Sequence, residues 1–255
     1  MTRPWQTAIQ KTMHTEDPEN QQAKNDNAGV VTFAVDVVAS MESCGQRLFV
    51  DRKFAAIVNR SRLKVKDIGR IADGVCKGLN SKGWFVPPRR ILFVVDGVPN
   101  PSKFLLSFTR TRIESDNSLD ATAIINGDSA LLEQQIANAE AAARRLRGEK
   151  LLRGMLRGSM GMQLAHELSH AFGINRTSDK FRKMSLPDLE DLTDAFAFLS
   201  CENLIGDCAH LGANYLQERL KLKGVRATPE TVRELATSIV ASINNATGVA
   251  PTALQ

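Results

Sequence analysis

The segment Leu164-Ala165-His166-Glu167-Leu168-Ser169-His170-Ala171-Phe172-Gly173 decides how this chain is interpreted. Apolar residues flank a His-Glu-x-x-His pattern, and this arrangement predicts a helix. Because residues four apart lie on one face of a helix, the imidazoles of His166 and His170 can converge on one zinc ion. Glu167 then lies beside the metal, where its carboxylate can accept a proton from a zinc-bound water. The pattern therefore predicts a hydrolytic zinc site.

Two carboxylates compete for the place of third zinc ligand. A catalytic zinc site usually has three protein ligands and an open fourth position. Glu190 begins Glu-x-x-x-Asp on a predicted helix, so it shares a face with Asp194, which can accept the free N–H of a liganding histidine. Asp179, in the loop nine residues after His170, is the competitor. We prefer Glu190, and both remain open at this point.

The hydrolytic mechanism also needs a donor that stabilises the developing oxyanion. His210 and Tyr215 are candidates if the segment after Gly206 folds back over the site. The alternative for His210 is a surface position on a helix, and for Tyr215 a core position with its hydroxyl at the edge. The simpler alternative is favoured for both residues.

The His166-to-His170 pattern and the following Glu190-x-x-Thr193-Asp194-x-Phe196-Ala197 resemble the ImmA/IrrE-type gluzincin metallopeptidases. This resemblance covers residues 160–224 and implies a protein substrate such as a transcriptional repressor. Thr193 stands where that family usually has alanine. The Thr-Ser-Asp that ends at Asp179 is similar to the Gly-Thr-x-Asp element of aspzincins, a group that includes bacterial effector proteases acting on host proteins.

Composition limits the class of partner. The chain has 255 residues, 43% hydrophobic and 24% charged, as is usual for a globular protein. A net charge of +5 and a single tyrosine do not imply nucleic acid. No signal peptide or apolar run long enough for a membrane span is apparent, and four scattered cysteines indicate a reducing compartment with unpaired thiols. We expect a cytoplasmic protein, or one secreted into a host cell without a classical signal peptide. The oligomeric state is open.

Periodicity predicts an α+β fold. Apolar runs predict strands at residues 30–38, 91–95, 104–113 and 121–126. Helical spacing predicts helices at residues 64–79, 130–156, 160–172, 185–199, 204–222 and 229–241. We expect Gly173 to end the metal helix in a left-handed conformation, and Gly148 or Gly154 to interrupt the preceding Arg-rich helix.

These elements suggest four parts: a disordered polar tail (1–28), an α/β N-terminal part (29–125), a catalytic core that the resemblance implies to be zincin-like (126–225), and a C-terminal helix with a tail (226–255). The expected fold class is α+β, with a zincin-like catalytic domain that has a small mixed sheet and the His-Glu-x-x-His helix. The C-terminal half is expected to be mostly helical. The predicted function is a zinc metallopeptidase that hydrolyses peptide bonds of a specific protein substrate.

Two other classes of function are considered. Asp36 and Asp96 each follow an apolar run, and two aspartates at strand ends could hold Mg²⁺ in a nuclease. The simpler interpretation is that they are turn and capping residues. A non-enzymatic zinc module would need a fourth protein ligand, for which His210 or Cys201 could serve.

Overall fold

The computed structural model describes residues 13–15, 35–86, 88, 90–98, 103–115, 118–146, 148–176, 178–202, 204 and 228–246. Six strands form one mixed sheet in the order β1-β5-β6-β4-β3-β2. The strands are β1 (Met13–Thr15), β2 (Val37–Ser43), β3 (Gln46–Asp51), β4 (Arg90–Val95), β5 (Leu106–Ser115) and β6 (Ser118–Gly127). Pairing is parallel between β3 and β4 and between β4 and β6, and antiparallel elsewhere. The predicted α+β class with a mixed sheet is confirmed.

The described part of the chain also contains six helices. These are α1 (Arg52–Arg60), α2 (Val65–Asn80), α3 (Ser129–Leu146), α4 (Glu149–Phe172), α5 (Leu186–Glu202) and α6 (Pro229–Ala246). None of them is both long and apolar enough to cross a lipid bilayer. The predicted helix at 64–79 is confirmed as α2, and Ser185 caps α5 by accepting a hydrogen bond from the backbone N–H of Asp188 (3.3 Å).

The core lies between one face of the sheet and the helices. Ile91 and Phe93 of β4 are fully buried on that face, where they join residues of α2, α4, α5 and α6 in one apolar cluster. Leu92 and Val94 of the same strand are buried in a smaller cluster. Because successive side chains of a strand point to opposite faces, β4 is covered on both sides, which explains its continuous apolar sequence.

The first half of the sheet differs from the sequence prediction. Of the strand predicted at 30–38, residues 37 and 38 belong to β2, and residues 30–34 lie outside the described residues. β3 and α1 were not predicted. β2 and β3 form a hairpin whose two-residue turn, Cys44-Gly45, has positive φ at both positions (50° and 73°). Such a turn matches the twist of the paired strands. Residues 35–36 lie outside the strand, contrary to the prediction.

The prediction of unpaired cysteines is wrong for two of the four. Cys44 in the hairpin turn forms a disulfide with Cys76 of α2, with a Cα–Cα distance of 6.5 Å. The bond ties the edge of the sheet to a core helix. Cys201 is buried, as predicted, and forms no disulfide within the described part of the chain, whereas Cys208 lies outside that part. The cysteines therefore give no support for a reducing compartment.

The long helix and the metal helix meet at a different point from the one predicted. α3 ends at Leu146 and α4 begins at Glu149, directly after Gly148. Gly154 lies inside α4 and does not interrupt it. The metal helix is therefore 24 residues long and includes much of the segment assigned to the Arg-rich helix.

Gly173 ends α4, but not in the left-handed conformation that was predicted. Its φ of 160° is extended, and its N–H donates to the carbonyl of Ser169 (3.1 Å). A Cβ atom here would lie 2.0 Å from the carbonyl oxygen of Trp84. Val86 also donates its backbone N–H to Phe172 (2.7 Å). Glycine is thus required because another segment passes close to the helix end.

Part of the polar N-terminal segment is ordered. Met13–Thr15 pairs antiparallel with residues 111–113 of β5 at the edge of the sheet. The rest of the predicted polar tail, residues 1–28, lies outside the described residues, so its disorder stays a prediction. The helix predicted at 204–222 also lies outside them, except for residue 204.

Candidate metal centre

Two packed helices bring the central side chains together. His166 and His170 lie one turn apart on α4, with ring centroids 4.7 Å apart. Glu190 lies one turn into α5 and faces both imidazoles. The fully buried Leu168 and Leu192 hold the two helices against the core. The three polar side chains therefore lie on rigid elements.

The candidate ligand atoms of the three side chains lie close together. The two Nε2 atoms are 3.1 Å apart, Nε2 of His166 lies 3.3 Å from Oε2 of Glu190, and Nε2 of His170 lies 3.3 Å from Oε1 of the same carboxylate. With metal–ligand bonds of about 2.0–2.1 Å, two ligands of a tetrahedral zinc ion are about 3.3 Å apart. His166, His170 and Glu190 thus form a group that could hold a metal ion.

Hydrogen bonds at the other ring nitrogens fix both tautomers. Nδ1 of His170 lies 2.7 Å from the carbonyl oxygen of Ile174, which only accepts, so Nδ1 carries the proton. Nδ1 of His166 lies 2.7 Å from a carboxylate oxygen of Asp194 and donates to it. Neutral rings then present the lone pairs of both Nε2 atoms to each other. Two lone pairs at 3.1 Å repel unless a proton or a metal ion lies between them.

The electrostatic field of the site favours a cation. Burial opposes a charge on His166, but its hydrogen bonds to Asp194 and Glu190 outweigh this and raise its pKa to about 10. Burial also opposes a charge on Glu190, yet the hydrogen bonds to His166 and His170 hold its pKa well below the usual range. The carboxylates that would hold a proton here would hold a metal dication in the same way.

Glu167 combines burial with proximity to the candidate ligands. Glu167 is only 8% exposed. Its carboxylate accepts no hydrogen bond from the described residues. Burial raises its pKa above the ordinary value, and the nearby histidines only partly offset this. A carboxylate with a raised pKa is a better proton acceptor.

The structure separates the two carboxylates that competed as third ligand. Asp179 is highly exposed (90% for its side chain) and forms an ion pair with Arg182. Glu190 contacts both histidines. The geometry therefore favours Glu190 over Asp179, as preferred from the sequence. Asp194 also lies where it was predicted, as the acceptor for a candidate ligand.

The remaining predicted donors do not contribute to the described site. His210 and Tyr215, the candidates for oxyanion stabilisation, lie outside the described residues. Cys201 is buried in the core and is not part of the metal-holding group. Within the described part of the chain, the group therefore contains three side chains.

The strand-end aspartates that were considered for Mg²⁺ have other partners. Asp36 accepts a hydrogen bond from the guanidinium of Arg52 (2.6 Å). Asp96 accepts one from the backbone N–H of Ser129 at the start of α3 (2.9 Å). Among the described residues, neither belongs to a group of three potential metal ligands. The capping interpretation fits Asp96, whereas Asp36 forms an ion pair.

Two features of the site were not found from the sequence. The carbonyl of Ile174 is a backbone atom, and no residue pattern identifies it. Phe108 of β5 stacks on His170, with ring centroids 6.2 Å apart and an angle of 15° between the planes. The apolar run at 104–108 predicted the strand, but it did not predict that Phe108 packs against His170. Phe108 thus limits the movement of the His170 ring.

Comparison with known proteins adds no identity: no protein-family model, no curated protein and no solved structure matches the chain. The resemblances to ImmA/IrrE-type peptidases and to aspzincins therefore stay predictions.

Proposed function

We propose that this protein is a zinc-dependent metallopeptidase that hydrolyses a peptide bond in a protein substrate. One observation carries the proposal: the Nε2 atoms of His166 and His170 converge, 3.1 Å apart, within 3.3 Å of the Glu190 carboxylate. Asp194 and the Ile174 carbonyl orient the two rings toward this point, where a metal dication would lie between their lone pairs. Zinc fits this set of two imidazoles and one carboxylate better than Mg²⁺, which prefers oxygen ligands.

Each residue has a distinct task. His166, His170 and Glu190 would hold the ion, and Asp194 and the Ile174 carbonyl orient the two imidazoles. A bound zinc ion would polarise the scissile carbonyl and lower the pKa of a water molecule toward about 7. Glu167 takes the proton from the attacking water and passes it to the leaving amine. Its buried carboxylate, with a raised pKa, suits both transfers.

A structural zinc site is the main alternative, because such sites are common in proteins. Structural sites are closed by four protein ligands, whereas the described group provides three. Glu167, beside two of them, has no role in a purely structural site. The donor set and the placement of Glu167 both support catalysis.

The experiment measures zinc content and peptide hydrolysis in the wild type and in Glu167→Gln. We expect about one zinc per chain in both proteins, and a loss of activity of about 10²-fold or more in the variant. Glu140→Gln, the same chemical change on the exposed face of α3, is the matched control and should retain activity. If the wild type binds no zinc, or if Glu167→Gln hydrolyses peptides as fast as the wild type, the proposal is wrong.

A further inference from the structure

A partly exposed stripe runs along α4 away from the metal centre. Between Gly158 and Phe172, every residue is buried except Ser159, Gln163 and His166. These three are four and three residues apart, so they lie on one face of the helix. At a rise of 1.5 Å per residue, Ser159 lies about 10 Å along the axis from His166. The stripe connects the metal centre with the region where α3 packs on α4.

A cavity of about 520 Å³ lies at the far end of this stripe. It is formed by α3, α4 and the segment before β5, and Ser159 belongs to its wall. Its lining consists of Lys103, Leu105, Leu131, Gln134, Gln135, Asn138, Ala139, Met155, Leu156 and Ser159. A volume of this size can take a side chain together with part of a peptide backbone.

Polar side chains link the cavity with the metal centre. The amides of Gln135 and Gln163 both donate to the hydroxyl of Ser159, the second at 3.2 Å. The other amide atom of Gln163, Oε1, is buried and has no hydrogen-bond partner among the described residues. Gln163 stands one turn before Glu167.

The chemistry of the cavity selects the kind of side chain. The walls contain leucine and methionine side chains, which suit an aliphatic stem, together with three carboxamides and a hydroxyl. Among the described residues of the lining, Lys103 carries the one charge and none has a carboxylate. A side chain with an aliphatic stem and an anionic end therefore fits, whereas a cationic side chain would be repelled.

We propose that this cavity is a specificity subsite that takes a glutamate side chain of the substrate, with Lys103 as the specificity-determining residue. The inference rests on the proposed peptidase function. An extended peptide advances about 3.3 Å per residue, so the glutamate lies about three residues from the scissile bond.

The test uses the full-length, zinc-loaded protein and a proteome-derived peptide mixture whose cleavage products are sequenced by mass spectrometry. The wild type should enrich glutamate at a position two to four residues from the cleaved bond. Lys103→Glu should lose this enrichment and favour lysine or arginine there. Because Lys103 is exposed, we expect the ratio of glutamate to lysine to change about five-fold, and less at high salt.

Lys150→Glu is the matched control, because Lys150 is an exposed residue of α4 outside the cavity lining. It should show the wild-type profile. The subsite is disproved if the wild type has no acidic preference near the cut, or if Lys103→Glu and Lys150→Glu have the same profile. A wild type that binds no zinc and cuts no peptide would instead refute the peptidase function, and the subsite with it; zinc content separates the two failures.

Discussion

Acidic side chains lie both at the metal centre and at the carboxyl end of the sheet, but their partners differ. At the metal centre, Glu190 and Asp194 face two imidazoles whose ring nitrogens are oriented by hydrogen bonds. At the end of the sheet, Asp36 and Asp96 are occupied by a guanidinium and by a helix N-terminus. Acidic residues at a strand end or on a helix are therefore not enough to indicate a metal site. What distinguishes the metal centre is that its lone pairs converge.

Removal of a histidine should show the largest difference between the two regions. His170→Ala should reduce bound zinc from about one per chain to about a tenth or less, because two ligands cannot hold the ion. The double variant Asp36→Asn/Asp96→Asn should bind zinc as the wild type does. Zinc content after dialysis, measured by mass spectrometry, checks both. Equal zinc in His170→Ala and the wild type would place the metal elsewhere.

The third ligand can be identified by comparing two carboxylates. Glu190→Ala should weaken zinc binding about a hundredfold or more, since it removes a direct ligand. Asp179→Ala should leave the affinity unchanged, because Asp179 is exposed and pairs with Arg182. Competition with a chromogenic chelator measures both affinities. A stronger effect of Asp179→Ala would favour the aspzincin-like alternative over the present geometry.

Asp194 should have a smaller effect, through the orientation of His166. In Asp194→Asn the new side chain keeps the shape and can still accept from Nδ1, but it loses the negative charge that strengthens His166 as a ligand. We expect zinc affinity to fall about 10–100-fold, with the fold retained. Asp191→Asn, the same chemical change three residues earlier on α5, is the control. An unchanged affinity in Asp194→Asn would show that its charge does not reach the metal.

Local sequence patterns predicted the parts of the fold that depend on local physics. β4 is covered on both faces and α2 on one, so a continuous apolar run and a helical period identified them. The β2–β3 hairpin was missed because its turn, Cys44-Gly45, is not a strong turn signal and because its disulfide partner Cys76 is distant in sequence. Long-range contacts of this kind have no signature within a short window.

In the site, too, the residues that one helix brings together were predicted, whereas the contacts that depend on long-range packing were left open or not predicted. His166, Glu167 and His170 were predicted from the geometry of one helix. The choice between Glu190 and Asp179 depends on how α5 packs on α4 across a loop, which spacing alone does not determine. The Ile174 carbonyl could not be predicted, because it reaches His170 only through the extended conformation that Gly173 adopts where Trp84 passes close by.

The smallest effects are expected at the end of the sheet, where only stability should change. Asp36→Asn breaks an exposed ion pair with Arg52, which solvent screens, and should leave the free energy of unfolding almost unchanged. Asp96→Asn weakens the hydrogen bond to the first N–H of α3 and should cost up to about 1 kcal/mol. Urea unfolding measures both values. A second assay measures cleavage of nucleic acid with Mg²⁺. If this cleavage disappears in either aspartate variant but survives in Glu167→Gln, the catalytic ion is bound by the aspartates and not by the histidines.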